Sequence, residues 1–169
     1  MTAIAHETLR FERRLDASPR RVFAAFADPE ARMRWGVPSP RVGLVYLATD
    51  FRVGGLDVSR CGPKGDLKFQ VENRYHDIVE DSRIISSETV GCDGSLLSVA
   101  LITVEFRTDG DRTDLVVTDQ LAAIEGSEMI EGARAGMGAA LDNLVREING
   151  EAASNAEVVR RSAAKNREG

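Results

Sequence analysis

The chain has 169 residues, of which 43% are hydrophobic and 29% are charged. This length and apolar content predict one domain with a substantial core. The formal net charge is −5 at pH 7, and the basic residues are dispersed apart from the pairs Arg13-Arg14 and Arg20-Arg21. We interpret these pairs as solvated ends of a strand and a helix. The charge balance argues against nucleic acid or an anionic membrane surface as the main partner.

Targeting signals and cysteines indicate the expected compartment. No segment has the apolar core of a signal peptide or the roughly 20 apolar residues of a membrane-spanning helix, so we expect a cytoplasmic protein without membrane insertion. Cys61 and Cys92 lie far apart and lack Cys-x-x-Cys spacing, which favours free thiols. The N-terminal residues, including His6, are predicted to be disordered.

The first elements are a strand and two short helices. Residues Leu9 to Leu15 alternate between apolar and polar side chains, which predicts a strand. Ser18 followed by Pro19 is a typical helix start, and Asp28 followed by Pro29 begins a second short helix that runs to Trp35. A turn follows from Gly36 to Pro40.

The middle of the chain alternates between strand-like runs and turn signals such as Asp93-Gly94 and Asp109-Gly110. The predicted strands cover residues 44–53, 56–61, 67–79, 83–91, 96–107 and 113–121. With the first strand they make about seven. Helices segregated to one side of an antiparallel sheet predict an α+β layer fold, and a strongly curved sheet could wrap the last helix.

The last apolar segment, Met129 to Ile148, has the spacing of a helix with one apolar face. Its first half is rich in glycine and alanine, although each helical glycine costs about 1 kcal/mol relative to alanine. Two interpretations of these small side chains stay open. The helix approaches a neighbouring backbone closely there, or it forms a wall that leaves a cavity open. The domain is predicted to cover residues 1–150, with residues 151–169 a polar tail that is frayed or extends the helix.

Several short motifs in order resemble the START-like helix-grip (SRPBCC) superfamily, in the branch named after activators of the heat-shock chaperone ATPase. They are Asp50-Phe51-Arg52-Val53-Gly54-Gly55, Asn73 to Ile78 ahead of Arg83 to Ser86, Thr113 to Gln120, and Gly136-Met137 through Leu141 to Leu144. The resemblance covers about Thr8 to Ile148. The chain departs from it where Met137 follows Gly136, since the family often carries Trp there. The resemblance implies a helix-grip fold, small apolar ligands in many members, polyketide cyclisation in a few, and chaperone binding in the eukaryotic namesake.

Strand alternation places Asp119 and Tyr75 on the inward face of the predicted sheet. A carboxylate in apolar surroundings has a raised pKa and can orient a polar ligand group, but a solvated acid at a strand end stays an alternative for Asp119. The Tyr75 hydroxyl suits either a core hydrogen bond or ligand recognition, and Trp35 either packs or closes a mouth of the pocket. The predicted pocket lining is Trp35, Phe51, Phe69, Tyr75, Ile102, Leu115, Val117, Asp119, Met129, Ala133, Gly136, Met137 and Ala140.

The sequence offers no convincing catalytic constellation. The polar alternation places His76 at the surface, and no nucleophile elbow, zinc-protease motif or phosphate loop is present. The candidates for general acid or base are Asp119 and Glu72, with Tyr75 as a donor, and strand parity disfavours Glu72. We expect neither a metal nor a cofactor, and whether the protein is an enzyme stays open.

The prediction is a helix-grip domain that binds a small hydrophobic or amphipathic ligand between the sheet and the last helix. A cyclase-like or aromatase-like enzyme that uses a cavity acid is the first alternative. A protein-interaction module or chaperone accessory is the second, which a continuous exposed apolar patch would favour. Homodimerisation is left open, and the sequence alone does not support a chaperone partner.

Overall fold

The structure is a computed structural model that describes residues 3–124 and 126–165. Its strands are β1 (Ala5–Leu15), β2 (Val42–Ala48), β3 (Leu56–Pro63), β4 (Phe69–Val79), β5 (Arg83–Cys92), β6 (Ser95–Asp109) and β7 (Arg112–Ala123). Its helices are α1 (Pro19–Ala27), α2 (Pro29–Trp35) and α3 (Glu128–Lys165).

The strands form one antiparallel sheet in the order β1-β7-β6-β5-β4-β3-β2. Strands β2 to β7 are a meander, and β1 returns to pair with β7. The helices lie against one face of the curved sheet, with α1 against β6 and β7, and α3 closest to β1. The predicted α+β helix-grip fold is confirmed. Within the described residues, no helix is both long and apolar enough to cross a membrane.

The two short helices begin where their caps predict. The Ser18 Oγ accepts a hydrogen bond from the Arg21 amide at 3.4 Å, and the Asp28 Oδ1 accepts one from the Glu30 amide at 3.0 Å. Each cap satisfies an amide that has no partner within the helix. The predicted pattern of two helices between the first and second strands is therefore confirmed.

Two expectations about element boundaries are wrong. His6 lies within β1 and pairs with Ala122, because the edge of β7 offers backbone partners along the whole of residues 5–15. The second strand ends at Ala48, so Phe51 lies in the loop before β3. The backbone of this loop packs closely against Gly55. A Cβ at Gly55 would lie 2.0 Å from the Asp50 carbonyl oxygen, so only glycine fits there.

The concave face of the sheet has a closed half and a more open half. The closed half lies under α1, α2 and the middle of α3, and its buried core includes Leu15, Val22, Phe106, Leu115 and Leu144. The inward side chains near the start of β4 and the end of β5 are only half-buried; they include Phe69, Val71, Asn73, Glu88 and Val90. The helices therefore cover this second half less completely.

The glycines of α3 have two different surroundings. A Cβ on Gly138 would lie 3.7 Å from Cε1 of Phe11 in β1, whereas one on Gly136 would meet no heavy atom of a neighbouring element within 4 Å. Arg13 of β1 also donates to Asp142 at 2.8 Å, on the Gly138 side of the helix. The helix thus lies close to β1 at Gly138, with room there for a Cβ in ordinary contact, and open space lies beside Gly136. Beyond Gly150 the helix continues to Lys165.

Candidate functional site

Asp119 is a buried carboxylate on the concave face of β7. Its exposed fraction is 3%, and no described residue offers a hydrogen-bond partner to its Oδ1. Its strand neighbours across the sheet are Leu9 and Ile102, both apolar. Because burial removes the hydration of the charged form, the pKa of Asp119 rises to about 6. The alternative of a solvated acid at a strand end is wrong.

Glu88 of β5 is a second acid on the same face, and the sequence analysis missed it. Loss of hydration raises its pKa to about 7, the charge of Asp119 adds to the rise, and a hydrogen bond from Asn73 opposes it. Asn73 is the direct cross-strand neighbour of Glu88. Strand alternation carried the signal, since Glu88 shares the inward side of β5 with Ile84 and Ser86. We call Glu88 and Asp119 the acid pair.

The open flank of α3 is turned toward the middle of the sheet. Gly136 and Asn143 are seven residues apart and therefore lie on the same side of the helix. The Asn143 amide donates to the Val37 carbonyl oxygen at 2.7 Å, in the connection between α2 and β2. The Gly136 side of α3 thus faces away from β1 and toward the centre of the concave face. Ala133 and Met137, both half-buried, lie between the two flanks.

Tyr75 belongs to a buried ionic cluster next to the acid pair. Its hydroxyl donates to the Asp57 Oδ2 at 2.5 Å, and Arg32 Nη1 donates to the same oxygen at 2.6 Å. The other oxygen of Asp57 accepts from the Asp50 amide at 2.8 Å. Burial raises the pKa of Tyr75, so its hydroxyl stays protonated and remains a donor. The core hydrogen bond considered for Tyr75 is thus present in the structure.

Asp57 and Asp119 differ in a way that separates structure from a candidate site. Both carboxylates are almost fully buried. Asp57 has partners at both oxygens, whereas Asp119 has none at Oδ1 among the described residues. A buried polar atom without a partner costs free energy, which makes Asp119 a candidate site; Arg32 Nε and Nη2 of the Asp57 cluster are also buried without a described partner. Arg32, which bonds to Asp57, also lies over the Tyr46 ring, with its Cζ 4.7 Å from the ring centroid.

The other predicted lining residues divide between the core and the open half. Trp35 is buried, donates from Nε1 to the Ala25 carbonyl oxygen at 3.0 Å and packs on Phe26, which are packing contacts. Phe51 packs edge-on against Phe23 and Tyr75. Four more predicted residues are buried: Ile102, Leu115, Val117 and Ala140. The half-buried ones are Phe69, Met129, Ala133, Gly136 and Met137.

The outer face of the sheet carries a separate depression of about 660 Å³. It lies at the turns after β3 and β5, and its lining mixes both charges, with Arg60, Lys68, Asp66, Glu72 and Asp93. Glu72 accepts a hydrogen bond from Gln70 there at 3.2 Å. Glu72 therefore lies outside the concave face, in agreement with its strand parity.

Comparisons with known proteins agree with this fold. A model of the family described as "Activator of Hsp90 ATPase homolog 1-like protein" matches residues 16–149. The crystal structure of protein Mll3558 from Rhizobium loti has a TM-score of 0.76 at 36% identity, over 86% of this chain and 99% of that chain. The structure of an uncharacterised protein from Rhizobium leguminosarum has a TM-score of 0.72 at 29% identity, over 84% of this chain and 93% of that chain.

A third similar structure is protein CV1439 from Chromobacterium violaceum, with a TM-score of 0.71 at 26% identity, over 84% of this chain and 96% of that chain. No curated protein matches the chain. The family model begins near the end of β1 and ends near residue 149, so it spans both the acid pair and the Gly136 flank of α3.

Proposed function

This chain belongs to the family of Activator of Hsp90 ATPase homolog 1-like proteins, and from that premise we propose that it binds a small amphipathic molecule between the sheet and α3. Ligand binding in a hydrophobic cavity is known in this family. The proposal assigns the open half of the concave face to the apolar body of the ligand. The acid pair then contacts its polar group.

The unpartnered carboxylate of Asp119 is the observation that carries the proposal. Asp119 is buried, and the described residues supply no partner at its Oδ1, so this oxygen lacks the hydrogen bond that a buried acceptor needs. A ligand that donates a hydrogen bond would supply it. Ligand sites typically combine apolar walls with a few such polar groups. Ile102, Leu121 and Met137, which belong to the core or pack against it, would supply the apolar walls of this site.

Filling the space beside Gly136 tests the proposal. Gly136→Leu places a large side chain where no neighbouring atom lies within 4 Å, so the protein should stay folded while the site loses volume. We expect the affinity for the neutral fluorescent probe Nile red to fall at least about tenfold. Fluorescence titration measures the affinity, and far-ultraviolet circular dichroism measures the fold.

Gly132→Leu is the matched control. Gly132 lies one turn earlier on the same side of the helix, and a Cβ there also meets open space, but Gly132 is exposed whereas Gly136 is half-buried. Both substitutions remove the same helical penalty, about 1 kcal/mol per glycine. Nile red binding should be unchanged in Gly132→Leu. Equal binding by both variants and the wild type would contradict a ligand site beside Gly136.

Proton transfer is a second candidate function, and the surroundings of Glu88 favour it. A general acid or base works best when its pKa lies near the working pH, and the pKa of Glu88 rises to about 7. Asp119 and Glu88 together would hold and release one proton while the concave face orients a flexible substrate. This describes the cyclase-like alternative with Glu88 as the acid in place of Glu72.

The protein-interaction alternative has less support. The outer face exposes Val45 and Leu47 on β2 and Val99 and Leu101 on β6. Three strands, β3 to β5, separate the two pairs. Among the described residues they do not join into the continuous apolar patch that would mark a docking surface.

A further inference from the structure

The acid pair lies on neighbouring rows of the concave face with a small residue between its members. Glu88 is paired with Ala100 of β6, and Asp119 is paired with Ile102 two residues further along the same strand. Strands lie about 4.8 Å apart, so the two backbones are about 10 Å apart across β6. Ala100 is 2% exposed and places only a methyl group between the two acids, and the charge of Asp119 raises the pKa of Glu88.

No ion pair joins a described lysine or arginine to either acid, and Arg32 of the neighbouring cluster is paired with Asp57. Asn73 is the hydrogen-bond partner of Glu88. The charge of Glu88 contributes to the raised pKa of Tyr46 and of Cys61, so these two uncharged groups lie near it. For Asp119, burial alone shifts the pKa. No lysine or arginine contributes to the pKa shift of either acid. The site therefore combines negative charge with a buried acceptor, Asp119 Oδ1, that has no partner among the described residues.

A primary ammonium group complements this arrangement. It carries one positive charge and three hydrogen-bond donors, so it has a donor for each of the two carboxylates. A metal ion fits less well, because no group of three metal-ligating side chains lies together in the described part of the chain. A carboxylate or phosphate ligand would be repelled by two like charges.

We propose that the acid pair binds the protonated amino group of an amphipathic amine whose apolar body occupies the open half of the concave face. This inference rests on the function proposed above and adds the chemical class of the ligand. Asp119 Oδ1 accepts one hydrogen bond from the ammonium group, and the Glu88 carboxylate accepts another. Asn73 positions Glu88 and does not contact the ammonium group.

Three probes with the same chain and different head groups test the inference. Decylamine, decanol and decanoate, each kept monomeric, compete with Nile red for the wild-type protein at about pH 8. We expect decylamine to bind at least about tenfold more tightly than decanol, and decanoate to bind more weakly than both. The double variant Glu88→Gln, Asp119→Asn should lose this preference while it keeps its affinity for decanol.

The pH dependence gives a second readout. Both acids ionise as the pH rises through about 6 and about 7, whereas an alkylamine stays protonated, as a lysine side chain with a pKa of about 10.4 does. Decylamine affinity should therefore rise between about pH 5 and pH 8, and decanol affinity should stay constant. The control Glu72→Gln removes one charge from the outer face and should leave both curves unchanged.

The outcomes distinguish this inference from the function on which it rests. If decanol or decanoate binds as tightly as decylamine, the amine assignment is overturned while ligand binding stands. If the double variant keeps the amine preference, the acid pair is not the anchor. If neither Nile red nor any of the three probes binds the folded wild type, the proposed function itself fails.

Discussion

At the residue scale, the concave face carries two buried aspartates with opposite relations to stability. Asp57 accepts hydrogen bonds from Arg32, Tyr75 and the Asp50 amide, which hold the loop before β3 on the sheet. Asp119 has an unpartnered oxygen in apolar surroundings. A buried charge without a partner destabilises the fold, so Asp119 is a residue for which function and stability conflict.

We predict that Asp119→Asn stabilises the protein at neutral pH. The pKa of Asp119 is raised to about 6 in the folded state, so the folded state binds a proton more tightly than the unfolded state does. The free energy of unfolding of the wild type therefore falls as the pH rises from about 4 to about 6. Asparagine does not ionise, and above this window the variant should be about 1–3 kcal/mol more stable.

Urea denaturation of both proteins at about pH 4 and about pH 8 measures this difference, which should vanish at the lower pH. Asp114→Asn on the outer face of β7 is a control of opposite sign. The hydrogen bond and ion pair with Arg14 lower the pKa of Asp114. Loss of the Asp114 carboxylate should therefore reduce the free energy of unfolding at neutral pH. If Asp119→Asn raises the free energy of unfolding by the same amount at both pH values, the result would argue against a buried ionised carboxylate.

At the element scale, α3 has one flank that touches β1 and one flank beside open space. The Gly138 side approaches Phe11 and Arg13, and its backbone oxygen accepts a hydrogen bond from Arg13 Nη2 at 3.3 Å. Seven-residue spacing places Gly136 with Asn143 on the other flank. The two glycines therefore lie in different surroundings, which sequence composition alone does not distinguish.

We predict that Gly138→Leu destabilises the protein and that Gly138→Ala does not. A Cβ at this position makes ordinary contact with Phe11 at 3.7 Å, but a leucine side chain would push Phe11 and Arg13 aside. Overpacking of this kind costs about 1–3 kcal/mol, whereas alanine removes the helical penalty of glycine. Thermal unfolding of the two variants measures the difference. A leucine variant as stable as the alanine variant would refute the close approach.

At the scale of the whole molecule, α3 consists of a packed part and an extension. Leu144 and Ile148 are 0% and 1% exposed, and the described side chains from 157 onward are exposed. The ion pair between Arg21 and Glu151, at 2.6 Å, links α1 to the start of the extension. Exposed ion pairs contribute little to stability.

We predict that removal of residues 151–169 leaves the fold and ligand binding intact. The free energy of unfolding should change by less than about 1 kcal/mol, since the side chains of this segment whose burial the structure describes are exposed. Denaturation and Nile red titration of the shortened chain measure both properties. Removal of residues 144–169 is the contrasting variant, and it should unfold because it deletes Leu144 and Ile148 from the core. A large loss of stability in the shorter truncation would assign the extension a structural role.

The sequence by itself determined the order of the elements and the parity of most strands, because periodicity and turn residues are local properties of the chain. It also placed Asp119 and Tyr75 on the inward face. Tertiary structure decided which inward polar groups have partners: Asp57 meets Arg32 and Tyr75 across three elements, whereas Asp119 Oδ1 meets no described partner. It also brought Glu88 and Asp119 to one face across β6 and placed the Gly136 flank of α3 away from β1, since helix position depends on long-range packing.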